Sequence, residues 1–171
     1  MGKKQVIVLL SVILLTVSGC WSAELSFQVV QHNGTQENVC EQTLVIEDEM
    51  LDYFFNQGNI VTNERAAAVK DGGDEAVWKT AFADAAAGGS QYFVQLCLYY
   101  DTSSSTNPEA VALSNLDYVT WTITEIQSGK KIADMKNSVD KTALGKNDAD
   151  SVRSYAAEIA GQIQKALKVK A

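Results

Sequence analysis

The spacing of residues over the first part of the chain predicts a strand followed by a helix. Apolar and polar residues alternate over 25–32, as they do in a strand with one buried face. After Asn38, a candidate helix cap, the spacing changes to every three or four residues, which is typical of one helical face. The positions of that face are Val39, Thr43, Ile46, Met50 and Phe54. Gly58 follows where the end of a helix favours glycine.

The middle of the chain predicts two more strands and two more helices. Ile60 and Val61 predict a short second strand, and 66–69 predicts a brief helix. Asp74 is a candidate cap for a longer helix, one side of which carries Trp78, Ala81, Phe82 and Ala85. The segment Tyr92–Tyr100 is almost entirely apolar, which predicts a central strand that is buried on both faces.

The last third predicts a hairpin and a closing helix. Residues 116–126 alternate in polarity, and their core face carries Val119, Trp121 and Ile123. A tight turn at 128–130 leads to an antiparallel partner strand over 131–139. Asp148 or Asp150 would cap the final helix, whose apolar face carries Val152, Tyr155, Ile159, Ile163 and Leu167.

The element order β-α-β-α-β-β-β-α predicts one α/β (α+β) domain over 25–171. Strands that are joined by a helix pair in parallel through right-handed crossovers, whereas a hairpin adds antiparallel strands. The expected architecture is therefore a mixed sheet of about five strands flanked by three or more helices. The length from residue 20 onward suits a single domain with a sizeable core.

The first twenty residues have the features of a lipoprotein signal peptide. Lys3 and Lys4 give a positive start, an apolar run covers 6–15, and Ser18-Gly19-Cys20 closes the segment. We therefore predict a signal peptide over 1–19, a diacylglycerol and an acyl chain on the Cys20 thiol and α-amine, and a short tether over 20–24. Two or more chains suffice for stable anchoring in a bilayer. The alternative is simple secretion after a cut at Ala23.

The charge of the mature chain restricts its partners. Loss of Lys3 and Lys4 leaves 12 basic residues against 21 acidic ones, a formal charge of −9. Such an excess disfavours nucleic acid and electrostatic docking on anionic lipid, since both need Lys/Arg patches. The bilayer contact would then depend on the Cys20 anchor. Trp21 stands where an aspartate would mark inner-membrane retention, which favours the periplasmic face of the outer membrane.

Candidate chemistry is sparse along the sequence. His32 is the single histidine, no G-x-S-x-G motif is present, and zinc would need a cluster of Cys or His ligands. We therefore predict no catalytic residues, no metal and no cofactor beyond the lipid. Cys40, beside a helix stripe, and Cys97, in a strand, could form a disulfide across a helix–sheet interface. Two buried free thiols are the favoured alternative.

Two segments resemble a known group of envelope domains. They are the strand–turn–strand over 119–132, VTWTITEIQSGKKI, and the closing helix over 151–167. In this order they resemble the α/β domain shared by the amino-terminal part of TolB, the lipoprotein activators of penicillin-binding proteins and the curli-secretion lipoproteins. The resemblance implies the same mixed sheet and a role outside the cytoplasm.

The predicted envelope location, the lack of a catalytic motif and the resemblance together favour a non-enzymatic module that binds or helps to assemble another envelope protein. The alternative is a lipoprotein that binds a small solute or a glycan near the carboxyl edge of the sheet. Surface residues near the hairpin and the central loop form the candidate interaction face: Asp101, Asn107, Gln127, Lys130 and Lys131.

Overall fold

The computed structural model describes residues 22–33, 38–70, 73–101, 103, 113–139 and 149–170. Five strands form one mixed sheet, and they are β1 (Glu24–His32), β2 (Ile60–Val69), β3 (Tyr92–Tyr100), β4 (Leu116–Glu125) and β5 (Lys130–Ser138). Three helices flank the sheet, α1 (Glu41–Asn56), α2 (Asp74–Ala87) and α3 (Ala149–Lys170). A single 3-10 turn, Leu113–Asn115, precedes β4. The fold class and the element order are confirmed.

The strand order across the sheet is β2-β1-β3-β4-β5. The helix crossovers make β1 parallel to both β2 and β3, and the later strands β4 and β5 are antiparallel additions. The apolar strand β3 is therefore central, as expected. The β4–β5 turn contains Gly129 at φ +64°, a conformation that glycine adopts without steric cost.

Helices α1 and α3 cover one face of the sheet, which we call the packed face. Its core includes Phe27, Leu96 and Trp121 from the sheet, together with Met50 and Ile159 from the helices. The two helices approach closely at Gly161, where an added Cβ would lie 3.1 Å from the Tyr53 hydroxyl. The predicted core faces of β4 and of the last helix are confirmed.

Helix α2 lies on the opposite face, which we call the open face. It packs against β1, β2 and β3, and its Ala81 and Ala85 contact Phe93. The predicted apolar side of this helix is confirmed. Trp78 and Phe82 add a stacked pair against the same phenylalanine.

Three local predictions are wrong. The second strand runs for ten residues, and 66–69 continues it instead of forming a helix, because Ala67, Ala68 and Val69 pair with β1. Tertiary pairing here outweighs the helix preference of alanine. Strand β3 is buried on both faces only near its start, where Phe93 and Val94 are fully buried, whereas Gln95, Cys97 and Tyr99 further along the open face are half-buried.

The third wrong prediction concerns Asp74, because Gly73 occupies the N-cap of α2 and Asp74 is the first residue of the helix.

The start of α1 is capped from outside the helix. Cys40, two residues after Asn38, occupies the N-cap, and its own side chain makes no cap hydrogen bond. Instead the buried Gln31 Oε1 accepts from the Cys40 backbone N–H at 2.9 Å and from the Thr43 hydroxyl at 2.8 Å. A strand side chain thus satisfies an N-terminal N–H group of the helix, a task usually done by a residue of the cap itself.

No helix in the described part of the chain is long and apolar enough to cross a bilayer.

Candidate binding face

The half of the open face beyond α2 forms a patch of polar and aromatic side chains. Alternation along β3 and β4 directs their non-core residues to this side, where no described helix packs closely over them. The patch, which we call the open patch, contains Gln95, Cys97, Tyr99, Tyr118, Thr120, Thr122, Asp134 and Lys136. The last two are exposed and the others are half-buried.

A row of stacked rings crosses three strands at one end of this patch. The register aligns His32 of β1 with Tyr99 of β3, and Tyr99 with Tyr118 of β4. Their ring centroids are 4.1 Å and 4.2 Å apart with nearly parallel planes. Lys136 Nζ lies 3.7 Å from the Tyr118 centroid, a cation–π contact. We call these four residues the aromatic row.

The row presents ring edges rather than ring faces. His32 and Tyr118 cover the two faces of the Tyr99 ring, and Tyr99 and Lys136 cover the two faces of the Tyr118 ring. No ring face of these tyrosines is therefore free to stack on a sugar or a base.

His32 also makes a polar contact, because its Nδ1 lies 3.6 Å from Asp74 Oδ1 at the start of α2. The sequence pointed to His32 as an ordinary strand-end residue, and it missed this contact and the row.

Burial keeps the Cys97 thiol and the Tyr99 phenol of the patch protonated near neutral pH. Burial raises the pKa of the Cys97 thiol to about 11, with a lesser contribution from the charge of Asp74. Burial also raises the pKa of Tyr99 to about 12, and the neighbouring Cys97 adds to the shift. Because the thiolate is the nucleophilic form, Cys97 is a poor nucleophile near neutral pH.

Under α2 the polar side chains of the sheet are already paired. The Gln28 amide donates to the Arg65 carbonyl at 3.2 Å and accepts from Gln95 Nε2 at 3.1 Å. Ser26 Oγ donates to Glu64 Oε1 at 2.9 Å. A cleft of about 440 Å³ lies between β2 and α2, with Glu64 and Asp84 among its lining residues. Its size suits a small ligand, and part of its polar lining is occupied by the internal bonds.

The two cysteines are free and lie on opposite faces of the sheet. Cys40 packs against the core of the packed face, whereas Cys97 alternates with Leu96 and Leu98 and so belongs to the open face. The favoured interpretation of two free thiols agrees with this arrangement, because the sheet itself separates Cys40 from Cys97. Among the described residues no group of three His, Cys, Asp or Glu side chains could hold a metal ion.

The predicted interaction residues fall at two ends of the sheet. Asp101 follows β3, while Gln127, Lys130 and Lys131 belong to the β4–β5 hairpin beside the start of β3. Nine strand residues separate the two ends, roughly 30 Å at the rise of a strand. The structure therefore does not bring these residues onto one face. Asn107 and Cys20 lie outside the described residues.

Comparisons with known proteins place this fold in a family. A family model described as "Uncharacterised protein" matches residues 24–168, and the chain belongs to that family. No curated protein matches it.

Several solved structures are similar at low identity. The PelC dodecamer from Paraburkholderia phytofirmans is 12% identical, with 85% of this chain and 89% of that chain covered and a TM-score of 0.45. TolB from Acinetobacter baumannii is 13% identical at a TM-score of 0.43, over 85% of this chain but 29% of its own length. The LpoB C-terminal domain from Salmonella enterica is 12% identical over 75% and 91%, at a TM-score of 0.37. With TM-scores below 0.5, these likenesses carry no argument about function.

Proposed function

We propose that the chain is a lipid-anchored protein of the bacterial cell envelope that binds another envelope protein and catalyses no reaction. The envelope location is supported by the order of the charged start, the short apolar run and Ser18-Gly19-Cys20. The main observation that supports the binding role is the open patch. Raised pKa values of the Cys97 thiol and the Tyr99 phenol suit a surface for contact better than one for chemistry.

An anchor on Cys20 would fix the orientation of the domain. Ala23 is buried, its N–H donates to Asn59 Oδ1, and its carbonyl accepts from Ile60. Two residues lie between Cys20 and Ala23, and the three steps of the chain from one to the other span at most about 11 Å, so the folded body would begin close to the lipid. The starts of β1, β2 and β3 would then lie nearest the bilayer.

The β4–β5 hairpin would share that membrane-proximal end. Backbone hydrogen bonds connect it there, since Gln91 donates to Glu24 and Ile126 donates to Gln91. Lys130 and Lys131 would lie close to the lipid headgroups, while Asp101 and the aromatic row would lie at the far end. Of the residues predicted for binding, we therefore assign the partner contact to the far end and the open patch.

Lipidation is tested by replacing the anchor. Cells expressing the wild-type chain and Cys20→Ser are labelled with a radioactive fatty acid, and both proteins are recovered. We expect label on the wild type alone, because Cys20 is the position at which the leader pattern places the acyl groups. Equal labelling of both chains would refute the anchor.

Partner binding is tested at the open patch. The wild-type chain, Thr122→Arg in the patch and Ala83→Arg on the exposed side of α2, outside the cleft, are used to capture partners from detergent-solubilised envelopes. An arginine at Thr122 would block a flat contact sterically, so we expect the specific partner to be lost with Thr122→Arg and kept with Ala83→Arg. Thermal melts of all three proteins confirm that they are folded. Retention of the partner by Thr122→Arg would contradict the assignment.

A small-ligand role is the second candidate, favoured by the cleft of about 440 Å³. Robust thermal shifts with small solutes or glycans in the absence of any protein partner would replace the proposal by this alternative. In that case Asp84→Asn, which changes the cleft and leaves the open patch intact, should reduce the shift, whereas Thr122→Arg should not.

A further inference from the structure

The most exposed apolar side chains of the described residues lie at one end of the domain. Phe55 is 68%, Ile60 is 62% and Val169 is 75% exposed, the largest values among the large hydrophobic side chains that the structure describes. They belong to three different elements, since Phe55 lies in the last turn of α1, Ile60 begins β2 and Val169 lies in the last turn of α3. Exposed apolar side chains that collect on one surface are typical of an interaction site.

Hydrogen bonds place this end where the described chain begins. The Ile60 N–H donates to the Ala23 carbonyl at 2.9 Å, and the Ala23 N–H donates to Asn59 Oδ1. The Asn59 amide donates to the carbonyl of Phe54, in the last turn of α1, and to Gln164 Oε1 of α3, both at 2.9 Å. The side chain of Asn59 thus connects the start of β1 with both helices of the packed face.

Helix α3 runs toward this same end, in the direction of α1. Arg153 of α3 pairs with Glu49 of α1 at 3.5 Å, and further along both segments Gln164 meets Asn59. Residue numbers rise in both from the first contact to the second, so the helices are parallel. Val169 lies five residues beyond Gln164, which is about 7.5 Å further along the helix axis.

The proposed lipid would be attached at this end as well. Two residues separate Cys20 from Ala23, so a lipidated Cys20 would lie within about 11 Å of Ala23 at the maximal extension of the chain. The bilayer that takes up its acyl chains would therefore lie against the end of the domain that carries the three exposed side chains.

The charges at this end are of both signs. Lys165 and Lys168 are exposed in the last turns of α3, whereas Glu24 at the start of β1 and Asp52 in the second half of α1 are also exposed. Apolar contact would therefore supply most of the attraction, and the long lysine stems can cover apolar surface while their ammonium groups stay among polar headgroups. An interface of acyl chains beneath headgroups fits this combination.

We propose that Phe55, Ile60 and Val169 form a membrane-facing surface, which inserts into the boundary between headgroups and acyl chains of the bilayer that holds Cys20. A flat bilayer can meet side chains on three separate elements around one end, whereas a small ligand would need them in one pocket. This inference rests on the proposed anchor and adds a second contact, which fixes the tilt of the domain. The aromatic row at the opposite end then stays accessible to the envelope partner.

The test adds a tryptophan at each position and measures its quenching by bromine on the acyl chains. Phe55→Trp, Ile60→Trp and Val169→Trp, expressed from the full sequence and purified in a mild detergent, are transferred to vesicles of phosphatidylethanolamine and phosphatidylglycerol with and without bromine. Leu44→Trp is the matched control, because Leu44 is exposed on the same helix as Phe55 but lies about 16 Å from it along the axis. The wild type gives the background of its own three tryptophans.

We expect the brominated chains to remove at least half of the added fluorescence of Phe55→Trp, Ile60→Trp and Val169→Trp, and to leave that of Leu44→Trp unchanged. Thermal melts show that each variant is folded, which the exposure of all four positions favours. Equal quenching of Leu44→Trp, or the absence of quenching from any of the other three, would overturn the membrane-facing surface.

The same proteins separate this inference from the proposed anchor. Fatty-acid label on the wild type, without quenching of the three added tryptophans, would refute the membrane-facing surface and leave the anchor intact. Quenching in chains that carry no label would refute the anchor and leave the surface intact. Partner capture is a third and independent readout, because Thr122→Arg changes the open patch and none of the three exposed side chains.

Discussion

The two faces of the sheet have different roles, although the same strands build both. On the packed face Val94, Leu96 and Leu98 of β3 are completely buried beneath α1 and α3. On the open face the alternating residues Gln95 and Cys97 are half-buried and polar. The difference shows that a nearly continuous apolar run such as Tyr92–Tyr100 does not require two covered faces.

The faces also differ in how they are held together. The packed face depends on apolar contact, which yields stability in proportion to the area removed from water. The open face depends on paired amides under α2 and on stacked rings beyond it, interactions that are individually worth about 0.5–1.5 kcal/mol. A face of the second kind can meet a partner without being required for folding, which is why we assign binding to it.

The largest expected effect comes from a cavity in the packed face. Leu96→Ala should lower the free energy of unfolding by about 2–5 kcal/mol, because the buried side chain leaves a void that its neighbours fill incompletely. Gln95→Ala, on the same strand but the other face, should cost about 1 kcal/mol for its hydrogen bond to Gln28. Urea unfolding measures both. Equal losses would mean that the two faces contribute alike.

A smaller effect depends on pH and on the open face alone. The pKa of Cys97 is about 11 in the folded chain against an ordinary value of 9.0, so the native state keeps a proton that the unfolded state releases. Stability from this group is complete below pH 9 and is lost as the pH rises through 11, an effect on the order of 2 kcal/mol.

The measurement for this prediction compares unfolding of the wild type and Cys97→Ala between pH 8 and pH 11. Because Cys97 also contributes to the raised pKa of Tyr99, both proteins carry Tyr99→Phe, and the difference between them then isolates the thiol. Cys97 should also react slowly with iodoacetamide at pH 8, because little thiolate is present. A pH-independent difference between the two proteins would show that the thiol is not desolvated.

The smallest expected effect is the coupling within the aromatic row. In a double-mutant cycle, Tyr99→Leu and Tyr118→Leu should show a coupling free energy of about 0.5–1.5 kcal/mol, because their rings stack at 4.2 Å. Tyr99→Leu with the distant Tyr53→Leu on α1 serves as the control and should be additive. Additivity in the Tyr99–Tyr118 pair would mean that the stack adds nothing beyond area burial.

The errors in the sequence analysis share a physical cause. The alanines at 66–68 favour a helix locally, yet β1 offers an edge for them to pair with. Gln31 caps α1 from nine residues away in the chain, where the usual cap signals are not sought. In each case long-range contact decided the outcome.

The aromatic row illustrates the same limit at the candidate site. The sequence predicts His32 to be an ordinary strand-end residue, and only the register of three strands brings its ring together with those of Tyr99 and Tyr118. With strand neighbours known, aromatic residues at matching positions would have revealed the row. The hairpin residues and Asp101 failed as a single face for a related reason, because proximity to loops does not specify which end of the sheet a loop occupies.

By itself the sequence determined the order of the main strands and helices, the mixed sheet and the core positions of β4, α2 and α3, because periodicity is a local property of the chain, and it contains the leader pattern from which lipidation is proposed. Only the tertiary structure decided which face of the sheet stays open and which rings stack. Those features arise from contacts between residues far apart in sequence. Their free energy depends on both partners, and no single segment contains both.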